Sequence, residues 1–179
     1  SLSLSLSHTH THTHTHTHPL FLSQPYSLLL IDLPSLWIWI MIDCYNTGVF
    51  TGKIIRMISD IRAKHGQDSV NLENCGKFTL AEDLSDISDM TSIDLNGFTS
   101  LHVGSQSAFD FLCHHSEAID FGDLLMGWVI KKYKEGGNSL VEVKGVPEDI
   151  TGAIDVLGFA GADLKLVDLK DCSNLTGEG

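Results

Sequence analysis

Positive charge is scarce in this chain. Eleven Lys and Arg stand against 23 Asp and Glu over 179 residues, a formal net charge of −12. Nucleic acids are bound largely by Lys and Arg that displace phosphate counterions, so this balance argues against nucleic acid and fits a cationic partner, or none. No Lys or Arg precedes Lys53, and the first 52 residues carry only Asp32 and Asp43 as charges. Cysteine is sparse too. Cys44, Cys75, Cys113 and Cys172 form no CxxC pair. That spacing suits neither a zinc site nor a redox motif, and reads as buried free thiols in a reducing, cytoplasmic setting. No cofactor or metal is implied.

A long apolar run is also missing. The most apolar stretch, residues 20–42, has a clean core from Leu28 to Ile42 that is broken by Asp32 and Pro34. A spanning helix wants ~20 apolar residues without a charge. The stretch has no basic segment ahead of it and no small-residue cleavage site, so it does not read as a signal peptide. Residues 28–42 are expected to be a buried first strand or non-native translation, with membrane attachment as the alternative.

Catalytic motifs are absent in the same way. "NTGVFTGK", residues 46–53, resembles a phosphate-binding loop, but three residues separate Gly48 from Gly52 and Ile54 follows Lys53. Four residues and a Ser/Thr hydroxyl for magnesium are required there. No G-x-S-x-G elbow occurs. Cys113-His114-His115 reads as a helix end with exposed histidines, since neighbours in sequence on a helix point different ways. The expectation is a protein without catalytic activity.

What is present divides in three. Residues 1–27 open with Ser-Leu and then Thr-His alternation, a low-complexity tract of the kind a translated dinucleotide repeat encodes. The N-terminal third is expected to be largely disordered or non-native. His8 to His18 would share one face if extended, which allows metal capture without requiring it. Residues 28–66 hold the apolar segment and a degenerate unit, Trp39-x-Met41-x-x-Cys44. From residue 67 to 179 the sequence repeats.

The repeat is read from its apolar frame. Leu164-x-x-Val167-x-Leu169-x-x-Cys172-x-x-Leu175 recurs as Met90-x-x-Ile93-x-Leu95-x-x-Phe98-x-x-Leu101. Shorter copies begin at Val70, Ile119 and Val141, giving steps of 23, 26, 22 and 26 residues. Each copy starts with an alternating run, as a strand does. Helical patterns lie between: Phe78–Ile87, Ser107–His114, Leu125–Tyr133 stopping at Gly136-Gly137, and Ile150–Phe159. Short strand–helix units suit parallel strands stacked side by side. The competing fold is a compact α/β domain with a ligand pocket at the strand carboxyl ends, an enzyme or regulatory module.

The frame resembles the leucine-rich repeat family over residues 67–179. Cys75 and Cys172 stand at the family's Asn/Cys position, where Phe98, Leu124 and Val146 depart from it. The resemblance implies an α/β solenoid, here ending without a cap and therefore expected to be truncated. Its parallel strands would form a concave face, with helices on the convex side. It implies a non-catalytic protein–protein interaction module. The outward position between the two apolar residues of each run is Asn71, Asp94, Asp120, Glu142 and Asp168. Like charges in adjacent rungs repel. The expectation is that Asp94, Asp120, Glu142 and Asp168 serve a basic protein partner.

Overall fold

The computed structural model describes residues 48–70 and 77–177. The tract 1–27, the apolar stretch 28–42, the unit ending at Cys44 and all but the first residue of the Val70 rung lie outside the described residues. Asn71, Cys44 and Cys75 fall there too.

The described chain is mixed α/β, built of short parallel strands and four helices. In chain order these are β1 (Val49–Phe50), α1 (Gly52–His65), β2 (Phe78–Leu80), β3 (Ile93–Asp94), β4 (Leu101–His102) and α2 (Gln106–His114). There follow β5 (Ile119–Asp120), α3 (Leu125–Glu135), β6 (Glu142–Val143), β7 (Gly152–Ala153), α4 (Val156–Ala160), β8 (Leu166–Val167) and β9 (Leu175–Thr176). Strands β1, β2 and β4 form one sheet, while β3–β5, β6–β8 and β7–β9 are two-stranded. Every pairing is parallel, as is an isolated bridge from Leu124 to Thr151.

Local chemistry accounts for the helices. Thr51 caps α1, its Oγ1 accepting from the Ile54 amide, and Ile54, Ile55, Ile58, Ile61 and Arg62 recur on one buried face. Gly66, with φ of 94°, ends it by donating to the Arg62 carbonyl. This helix is missing from the sequence reading, although its cap, its period and its stop are all in the sequence. Ser105 caps α2 through the Ala108 amide at 3.1 Å. Helix α3 ends at Gly136, as its sequence predicts.

Two elements differ from expectation. Residues 78–87 do not form a helix. Phe78 and Leu80 are buried on either side of Thr79 in strand β2, paired with β1 and β4, and a single 3₁₀ turn covers Ser85–Ile87. The spacing of Leu80, Leu84 and Ile87 does report burial, since all three are at most 2% exposed. A strand, a loop and a turn achieve it, with the Asp83 carboxylate accepting from the Ser85 amide at 2.9 Å. Between Ile150 and Phe159 the chain likewise spends Gly152–Ala153 on a strand before the short α4 begins.

Register differs as well. Ile93 pairs with Ile119 and Asp94 with Asp120, as the frame predicts. Val143, rather than Val141, pairs with Val167, and Glu142 faces Leu166 instead of Asp168. Contacts also join elements that are distant in sequence. Strand β4 packs on β7, His102 Nδ1 lies 2.9 Å from Asp155 Oδ2, and Thr176 Oγ1 donates to the Thr99 carbonyl at 3.4 Å.

One apolar core runs from Phe50 to Ala160, so α1 packs with the later elements across the expected boundary at residues 66 and 67. Its anchors are Phe50 and Phe109, both fully buried. Phe50 meets Phe78 and Phe98 at ring-centroid distances of 5.8 and 5.4 Å. Phe109 meets Tyr133 edge-on at 5.3 Å and stacks on Phe159 at 6.3 Å. Truncating a buried Phe loses transfer energy and leaves a cavity. Phe50→Ala is therefore expected to lower unfolding free energy by about 3–5 kcal/mol in urea titration. Leu166→Ala, at a side chain 46% exposed, is expected to stay within about 0.5 kcal/mol.

Candidate functional site: the acidic cleft beside helix α1

A cleft of about 490 Å³ lies between α1 and the β3–β5 pair. Ligand sites commonly measure about 300–1,000 Å³. Arg56, Asp60 and Arg62 line it from the helix, Asp89 and Ser92 from the approach to β3, and Asp94 and Asp120 from the strands.

Arg62 organises this wall. Its side chain is 4% exposed. Nε and one terminal nitrogen donate to the Val70 carbonyl at 3.1 and 2.7 Å. The other donates to Asp94 Oδ1 at 3.1 Å and to the Asn96 carbonyl at 2.7 Å. The guanidinium also sits 4.6 Å from the Phe98 ring centroid, within cation–π range. A buried arginine is tolerable only when its donors are matched in this way.

Asp94 is correspondingly occupied. Besides Arg62, its Oδ1 accepts from the Gln67 amide at 3.2 Å and the Asn96 backbone at 3.0 Å, while its own backbone donates to Ser59 Oγ at 3.1 Å. Asp120, directly opposite, is exposed and accepts from the Gly122 amide at 2.9 Å. Among the described residues it enters no ion pair. Two like charges therefore face each other on adjacent rungs, and a single guanidinium serves only one of them.

The same local bond recurs at a third site. Asp168 Oδ1 accepts from the Lys170 amide at 3.3 Å. Asp94, Asp120 and Asp168 each use one carboxylate oxygen to satisfy the amide two residues on, a turn that short acidic side chains favour. This repeated structural role was missed in the sequence, where the signal is the shared Ile/Val-Asp pair at 93, 119 and 167. Gly122 then has φ of +52°, and a Cβ there would collide with the Asn96 side chain on the neighbouring rung. Glu142 forms a different arrangement, an exposed pair with Lys144 of its own run.

The four expected partner-binding residues thus separate. Asp94 and Asp120 meet in the cleft, whereas Glu142 and Asp168 belong to the β6–β8 end and do not face one another. On the rim, Arg56 binds the Asp86 carbonyl and the Asp89 carboxylate, which holds Asp89 below the usual carboxylate range. Asp60 is exposed on α1.

No thiol nucleophile is prepared at residues 113–115. Burial pushes the Cys113 thiol up to about 11, with Asp110 adding to the shift and Lys134 opposing it. A nucleophile needs the opposite. His115 packs its ring 4.3 Å from Phe111, and His114 lies edge-on to His115 at 4.8 Å. Among the described residues no three His, Cys, Asp or Glu side chains are placed to hold a metal ion. No helix of the described residues is long and apolar enough to cross a membrane.

No protein-family model, curated protein or solved structure matches this chain.

Two outcomes follow for the wall and the thiol. Arg62→Met strands the Asp94 carboxylate and two carbonyls, and is expected to cost about 3–5 kcal/mol in chemical denaturation. Asp120→Asn, which removes only an exposed charge, should stay within about 0.5 kcal/mol; similar losses in both variants would overturn the assignment of Asp94 as the bonded partner. Cys113 should be alkylated by iodoacetamide at pH 8 more slowly in the native protein than in urea. Because its folded thiol holds its proton to higher pH than an unfolded one, its contribution to stability is expected to fall as pH rises from 9 to 11.

Proposed function

We propose that this chain is an irregular leucine-rich-repeat-like solenoid acting as a non-catalytic binding module for a basic protein segment. Support for the repeat comes from consecutive parallel rungs, Ile93 with Ile119 and Val143 with Val167, spaced 26 and 24 residues apart. Helices α1, α2 and α4 begin within a few residues of β1, β4 and β7, and α3 begins directly after the Leu124 bridge. The unit that begins at Ile119 is shortened, since β5 runs into α3 after four intervening residues. That leaves a single bridge where the other units have a second strand, and it accounts for the irregular stacking around β4 and β7.

The observation that carries the binding role is Asp120. It lies opposite Asp94 on the wall of the cleft, outside any ion pair, with one carboxylate oxygen on its own turn. A lysine or arginine of a partner supplies there the charge that Arg62 supplies to Asp94. Asp60 on the facing helix and Asp168 at the far end extend the attraction to charges within a Debye length of ~8–10 Å. Asp94 acts by holding the rung in place, and Glu142 contributes once it exchanges Lys144 for the partner. A cytoplasmic setting suits the free thiols of Cys113 and Cys172.

The alternative, a compact α/β domain with a small-molecule pocket, draws on the same cleft, because Asp94 and Asp120 are the last residues of their strands. The two readings separate on the choice of ligand. In a fluorescence binding assay at low salt, an oligoarginine peptide should bind the parent protein. Asp120→Lys combined with Glu142→Lys should weaken that binding more than tenfold while the circular dichroism stays unchanged. Equal affinity for parent and variant would sink the proposal, and binding of a small polyamine without the peptide would select the pocket reading.

A further inference from the structure

We draw no further inference here: the strongest candidate, the exposed apolar patch of Val141, Leu166 and Val167 at the open edge of the β6–β8 pair, carries nothing because nothing in the structure shows what covers it.

Discussion

A guanidinium buried between a helix and a strand pair sets the terms for the candidate site. Arg62 is carried on the apolar face of α1, where its neighbours are isoleucines. Leaving its charge there without partners would be far more costly than any packing gain. The chain answers with a carboxylate, two backbone carbonyls and an aromatic ring. The partners come from two segments, Val70 on one side and Asp94, Asn96 and Phe98 on the other, so the arginine fixes the end of α1, the 66–70 turn and the β3 segment relative to one another. Its effect is as much geometric as energetic, because a matched buried ion pair is a weak source of net stability.

That constraint reshapes the acidic face. A row of carboxylates in sequence suggests a uniform charged stripe. In the folded chain Asp94 is neutralised from within, Glu142 is paired with Lys144, and of that row Asp120 faces the cleft, together with Asp60 of α1, outside any ion pair among the described residues. The aspartates also carry a local duty, turning the chain after each short strand by accepting the amide two residues on. A residue retained for such a turn needs no ligand to account for it. Asp120 differs from Asp94 in that, among the described residues, it enters no ion pair beyond its own turn.

The uneven pairing of the short strands has a similar origin in short-range chemistry. Between Ile93 and His102 the chain makes two short strands, β3 and β4, before helix α2 begins. After β5 the apolar run Leu124-Leu125-Met126 enters the core directly as the start of α3. The chain gains burial and forgoes a strand there. Strand β4 then packs on β7, held by the His102–Asp155 contact. His102 is 6% exposed while the Asp155 side chain is 36% exposed, so the contact joins a buried ring to a part-exposed carboxylate.

Much of this was legible in the residues alone. Acidic balance, the alternation of short strands with helices, the spans of α2 and α3, and the pairing of Asp94 with Asp120 follow from local pattern. The first three are properties of charge, of period and of caps written within a dozen residues, while the pairing follows from the 26-residue step between the two Ile-Asp pairs. Three decisions needed the tertiary structure. Leu80, Leu84 and Ile87 signal burial, but only pairing with β1 and β4 makes Phe78–Leu80 a strand. The Val143–Val167 register differs from the expected one by two residues, and such a slip leaves every side chain on its original face, so the pattern cannot detect it. The partner of Asp94 is the third. Arg62 lies 32 residues away in sequence, and a contact of that range exists only once packing has brought helix and strand together.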